Sequence, residues 1–405
     1  MATAASHWSS LAVCGNKPAF SEPLHVGRPN LPDKQAILER IAGALDRHWL
    51  TNGGPLVAEF ERRIAAEVGV KHCIAVANGT IALELAVRGL GLSGEVIVPA
   101  FTFIASAHAL AWQHVAPVFC DVDRTTHTID AKQAEELITP RTTGILGVHL
   151  WGRACDVESL ADLAARKQLA LFFDAAHAFG CTHRGRSIGQ FGSCEVFSFH
   201  ATKFVHCGEG GAITTNDDVL AERLRLLRNF GFVGYDCVTA IGTNGKMSEL
   251  AAAVGLTSLD NMATIVAANR ANYDCYRRML ADIAGIKLVP FDAREVSNFQ
   301  YVVLEVDDRV AGLSRDELAA ALVAENVLAR RYFFPGCHRM DAYRASAKCP
   351  APPLPITELL SERVLALPTG LQVDQASILR IAGIVRTAIE NAPAVKSRLS
   401  QRRAA

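Results

Sequence analysis

Seven short apolar runs in the first two thirds of the chain constrain its fold more than any other feature. They are "CIAVA" from Cys73, "EVIVPA" from Glu95, "PVFCDV" from Pro117, "GILGVHLWG" from Gly144, "LALFFDAA" from Leu169, "CEVFSF" from Cys194 and "GAITT" from Gly211. Most are bounded by turn residues, and several are apolar at every position. A strand reads that way when both faces of its sheet are covered. Helical patterns lie between many of them: "TIALELAVRGLGL", "ESLADLAARKQ" and "DDVLAERLRLLRNFG". Strands and helices in alternation predict an α/β fold, a mostly parallel sheet covered by helices.

From about Met247 the pattern changes. "SELAAAVGLTSLDNMATIVAANRANYDCYRRMLADI" predicts two long helices joined at a bend. A strand at "NFQYVVLEVD" follows, then a helix whose capping box is Ser314 and Glu317, then a strand at "VLARRYFF" and two further helices. A chain of 405 residues is too long for one small core. The expected organisation is an N-terminal segment over 1–30, a large domain over 31–262 and a smaller α/β domain over 263–405.

The charge balance, 41 basic against 41 acidic side chains, argues against a nucleic-acid partner and favours small molecules or copies of the same chain. "MATAASHWSSLAVCG" has neither the basic nor the apolar region of a secretory signal, and a cytoplasmic protein is expected. The apolar stretch Val96 to Trp112 contains Pro99, Thr102 and His108, which suits a strand running into a helix rather than a membrane span. Eleven cysteines without a C-x-x-C pair read as reduced, buried thiols rather than disulfides or a metal site.

Ligands of parallel sheets bind at the carboxyl ends of the strands. After the first strand, Gly79 and Thr80 open an amphipathic helix, which suits a phosphate and equally an ordinary helix cap. Asp174 ends the fifth strand, where a carboxylate is costly unless it meets a cation; a cap or salt bridge would also serve. Ser198 and Lys203 follow the sixth strand, and Lys203 alone could be a solvated loop lysine. Together these groups meet the needs of pyridoxal 5'-phosphate. That cofactor requires a lysine for its aldehyde carbon, a carboxylate for its ring nitrogen, a helix terminus for its phosphate and an apolar surface for its ring. Phe101 and Phe103 in "PAFTF" supply the last.

The sequence resembles the DegT/DnrJ/EryC1/StrS family of sugar aminotransferases, fold type I enzymes that use this cofactor. "FDAAHAFG", "FSFHATK…GEGGAITTND" and "GTNGKMSELAAAVGL" carry the resemblance, which runs from "HWLTNGGPLVAEFE" to "LALPTG". It implies that Lys203 binds the cofactor covalently and carries protons, that Asp174 meets the ring nitrogen, and that His177 lies near the ring hydroxyl. Gly79, Thr80 and Ser198 would hold the phosphate, and Phe103, with Phe101 as second choice, would stack on the ring. Asn244 matches an asparagine that reaches the phosphate of the neighbouring subunit, which implies a homodimer with shared active sites. Many relatives carry an aromatic where this chain has Gly245, so contacts made by that ring are not expected here. "LHVGRPN", "GVHLWGR" and "FPGCH" look most like members that aminate C4 of dTDP-4-keto-6-deoxyglucose, with L-glutamate as donor.

A sugar nucleotide needs donors for its diphosphate. Candidates are Trp49, the turn of Thr51, Asn52 and Gly53, and Arg331, Tyr332 and His338 in "RRYFFPGCH". "RRYFF" could equally be a half-buried strand with solvated arginines, and His200 reads as a packed core histidine. A dehydratase of the same fold would carry histidine in place of Lys203. A non-catalytic relative would not need Lys203, Asp174 and Ser198 together. A nicotinamide dehydrogenase would need a G-x-G-x-x-G opening a helix after an early strand, and none is present.

Overall fold

The computed structural model describes residues 8–344 and 353–404. All seven apolar runs form strands of one sheet: β1 (His72–Val76), β2 (Glu95–Pro99), β3 (Ala116–Cys120), β4 (Thr142–Val148), β5 (Ala170–Asp174), β6 (Glu195–Ser198) and β7 (Gly211–Thr215). Their spatial order is β1-β7-β6-β5-β4-β2-β3, and only β7 runs antiparallel to its neighbours. Continuous apolarity has its cause in two cores. Phe173 and Phe197 point into one of them, and Phe172 and Val196 into the other. Every second side chain therefore meets a different helical layer, and no face is left for water.

The second domain is built on a three-stranded antiparallel sheet, β8 (Ile286–Leu288), β9 (Val302–Val306) and β10 (Val364–Leu367), in that order. Helices Glu249–Asp260 and Met262–Leu280 lead into it and meet at a bend of 61°. Among the described residues no single helix is long and apolar enough to cross a membrane. The helix Arg315–Ala324 opens on the expected capping box of Ser314 and Glu317. The N-terminal segment joins this second core through Leu11, Val13 and Phe20. Glu325 ties it down, accepting from the amides of Ala12 and Ala19 at 2.6 and 2.7 Å.

The expected strand over "VLARRYFF" is much shorter. Only Val327–Leu328 forms a strand, paired with Leu24–His25, and Arg330 makes one further bridge to Ala366. The chain then leaves the sheet, and Tyr332 and Phe333 turn toward the large domain, where Phe333 packs on Phe101 and Trp151.

Candidate active site

The carboxyl ends of β1, β2, β5 and β6 open onto one cavity of about 400 Å3. The second domain closes its far wall with Tyr301, Arg330, Tyr332 and Phe333. Gly79, Thr80, Phe103, Asp174, His177, Ser198, Lys203 and Tyr332, predicted from four strand ends and one distant segment, all line it.

Asp174 is the last residue of β5 and is 6% exposed. Burial raises its proton affinity. Two donors oppose that: the Ala176 amide at 3.0 Å and the Ser106 hydroxyl at 2.8 Å. Lys203 sits in the turn after β6, its amide bonded to the carbonyl of His200 at 2.8 Å. Its Nζ lies 3.0 Å from the Tyr301 hydroxyl. The surrounding walls desolvate the ammonium and lower its pKa to about 8, with Asp174 pulling the other way. An amine so placed is part neutral near physiological pH and can take up or release a proton.

His177 is buried against Trp151 and Tyr301, with ring centroids 5.6 and 4.2 Å away. Burial first, and then the Lys203 charge, hold its pKa well below the ordinary value, so the imidazole is neutral. Its Nδ1 has no hydrogen-bond partner among the described residues. Gly79 begins the helix Gly79–Gly89, whose cap Asn78 accepts from the Ile81 amide at 2.9 Å. A methyl group on Gly79 would stand 2.9 Å from Ser198 Cβ, so glycine is what lets the helix end and the serine approach each other, an arrangement that suits an anion. Phe103 is half-exposed to the cavity. Phe101 is buried with Phe333 at a centroid distance of 5.4 Å, and does not line it.

Other candidates lie elsewhere. Arg331 turns away, pairing with Asp316 at 3.1 Å and covering the Phe334 ring; its neighbour Arg330 faces the cavity instead. His338 is buried beside Glu358, at 3.5 Å. His200, far from being a core histidine, is half-exposed at the cavity wall and meets the Thr202 hydroxyl at 2.9 Å. Trp49 donates to the carbonyl of Thr51 at 2.7 Å, and Asn52 and Gly53 line a separate hollow with Arg228 and Lys246. Asn244 is exposed and bridges Asn229 on that side of the molecule. Glu249 joins these two segments: its amide bonds Leu50, and its carboxylate caps Leu56 and Val57 at 3.0 and 2.8 Å. A side chain at Gly245 would press Ile81 at 2.9 Å.

Sequence reasoning missed Ser106, Trp151, Tyr301, Arg330 and Phe333. Only Ser106 left a local trace, a hydroxyl four residues after Thr102 at the start of a helix.

The chain belongs to the DegT/DnrJ/EryC1/StrS aminotransferase family, whose model matches residues 32–386, and so to the pyridoxal-phosphate-dependent aminotransferases of fold type I. It is 40% identical over 325 residues to a dTDP-4-amino-4,6-dideoxy-D-glucose transaminase of Shigella dysenteriae, covering 80% of this chain and 88% of that one. It is 36% identical over 336 residues to a dTDP-3-amino-3,4,6-trideoxy-alpha-D-glucose transaminase of Streptomyces venezuelae, covering 82% and 87%. The crystal structure of DesI in the presence of its TDP-sugar product superimposes with a TM-score of 0.93 at 47% identity, over 97% of this chain and 99% of that one. The cavity fits the cofactor on its own terms. It offers an orphaned imidazole nitrogen, a glycine cradle that a Cβ would fill, and an amine and a carboxylate on separate walls.

Proposed function

We propose that the protein transfers the amino group of L-glutamate to a nucleotide-linked keto sugar. The acceptor is dTDP-4-keto-6-deoxy-D-glucose and the products are dTDP-4-amino-4,6-dideoxy-D-glucose and 2-oxoglutarate, in deoxyaminosugar biosynthesis for a natural product. The transfer chemistry rests on one observation, that Lys203 and Asp174 line one cavity. The choice of sugar is supported by the likeness to DesI and to the Shigella dysenteriae transaminase.

When bound, pyridoxal phosphate supplies an electron sink and carries nitrogen between the two substrates. Lys203 would hold it and, as a free amine, would take up or give up a proton at Nζ, which lies 3.0 Å from the Tyr301 hydroxyl. Asp174 would keep a proton on the ring nitrogen. His177, neutral, would meet the ring hydroxyl through its free nitrogen. Gly79, Thr80 and Ser198 would take the phosphate and Phe103 would cover the ring, while Tyr332, Phe333 and Trp151 keep water from the far wall. Arg330 and Tyr332 are the groups on the second domain that face an incoming sugar nucleotide, in place of the expected Arg331 and His338.

Asn244, Trp49, Thr51, Asn52 and Gly53 serve the site of a second subunit in a homodimer. Their joint exposure on one surface supports this, as does the apolar hairpin beside them, where Phe232, Val233, Tyr235 and Val238 are exposed. We assign the protein to the cytoplasm, the compartment that suits cysteines free at every described position.

Purified enzyme assayed in reverse, with dTDP- and UDP-amino sugars plus 2-oxoglutarate, tests the substrate. Fastest turnover of dTDP-4-amino-4,6-dideoxy-D-glucose is expected. Preference for a 3-amino sugar would replace this reading with the second one, amination at C3, which the Streptomyces venezuelae relative favours. Mixing Lys203→Ala chains with Asn244→Ala chains tests the dimer. Activity in the verified heterodimer should exceed that of both parents, and no gain would mean that Asn244 does not act across subunits.

A further inference from the structure

Two hydroxyls behind Asp174 have no part in the chemistry described so far. Thr102 stands just before the helix Ile104–Trp112 and Ser106 lies in its first turn, four residues on, so their side chains share one face. Thr102 is 1% exposed and Ser106 0%. Ser106 Oγ lies 2.8 Å from Asp174 Oδ2, and Thr102 Oγ1 lies 3.1 Å from Ser106 Oγ.

A serine hydroxyl has one proton. An ionised carboxylate can only accept, so that proton goes to Asp174, and Thr102 must then donate to Ser106. A serine in a helix commonly bonds back to the carbonyl four residues earlier. Here that carbonyl belongs to Thr102 and accepts the Cys337 thiol at 3.2 Å instead. The chain therefore runs one way, Thr102 to Ser106 to Asp174, each link polarising the next. Asp174 Oδ1 is meanwhile held by the Ala176 amide at 3.0 Å.

We propose that Ser106, backed by Thr102, is a positioning residue that keeps the shared proton on the cofactor's ring nitrogen rather than on Asp174. The proposal rests on the reading above, in which Asp174 faces that nitrogen. Burial pushes Asp174 toward its protonated form. The Ala176 amide, the Ser106 hydroxyl and the charges of Lys203 and His149 push back. Removing the Ser106 donor makes the carboxylate more basic, so the proton moves toward oxygen and the ring becomes a weaker electron sink.

The test is the nitrogen-15 NMR shift of ring-labelled pyridoxal phosphate bound to the intact enzyme. In the native protein the shift should be that of a protonated ring across the neutral range. Ser106→Ala should move it part of the way to the unprotonated value and lower kcat roughly tenfold or more, with KM for the sugar unchanged. Ser106→Thr should restore both, and Thr102→Val should move the shift less, in the same direction. A native shift in Ser106→Ala and Thr102→Val, whatever their stability, would overturn the proposal. Asp174→Asn separates the two ideas: if it too leaves the shift unmoved, Asp174 does not face the ring nitrogen and the underlying reading fails.

Discussion

Strands of the large sheet begin and end on buried carboxylates, and the two kinds are used differently. Glu195 begins β6 and Glu95 begins β2, although the stagger of the strands sets Glu195 level with Phe173, one residue from Asp174. One oxygen of Glu195 accepts from the amides of Gly189 and Phe191 at 2.7 and 2.6 Å, and the other lies 3.1 Å from His149 Nε2 but has no hydrogen-bond partner among the described residues. Glu95 is taken up by the Thr139 hydroxyl and Arg141. The donors of these two groups come from loops of the protein itself. At the carboxyl end, Asp174 has two fixed donors and keeps capacity for a group in the cavity. A buried carboxylate is costly unless paired, so the partner tells its purpose. Where loops close over the carboxylate and supply its donors the charge is structural; where it faces a cavity, a ligand completes the set.

Exchanging Asp174 for Asn should break the carboxyl end alone. Cofactor should still bind, while turnover falls about a thousandfold or more, because a neutral amide cannot keep the ring nitrogen protonated. Steady-state rates beside a thermal melt check this, and near-native rates would make Asp174 structural as well. Glu195→Ala is the counterpart at the amino end. It strands two amides and should cost about 2–4 kcal/mol of stability in denaturant unfolding, with kcat of the folded enzyme retained. A loss of turnover like that of Asp174→Asn would erase the distinction between the ends.

The smallest effect is one of pH. On the proposed reading the apoprotein captures pyridoxal phosphate through neutral Lys203, whose pKa burial lowers to about 8. Stopped-flow capture should therefore speed up about tenfold per pH unit below that point and level off above it. Asp174 opposes the lowering, so Asp174→Asn should move the profile to lower pH, while Glu195→Ala should leave it in place.

The same contrast explains what could be read from sequence. Asp174 and Lys203 were legible because a strand end fixes them: the apolar run gives the strand, the parallel order gives the side of the sheet, and the charge that follows must face the cavity. Phe101 and Phe103 were separable only in the structure, since both flank one turn and packing against Phe333 decides which is buried. Tyr301 carried no local signal, because it reaches Lys203 from 98 residues downstream on the second domain. Arg330 and Arg331 were exchanged because "RRYFF" does not continue as a strand, and Asp316 on a neighbouring helix draws Arg331 outward. Residues placed by topology can be read early; residues placed by loops or by a second domain need coordinates.

The central claim is that the cavity at the strand ends holds the cofactor on Lys203. Borohydride reduction of the holoenzyme, followed by peptide mapping, tests it most directly. The account predicts a single pyridoxyl label, on the peptide that contains Lys203. A label on any other lysine, Lys246 in the separate hollow included, would contradict it.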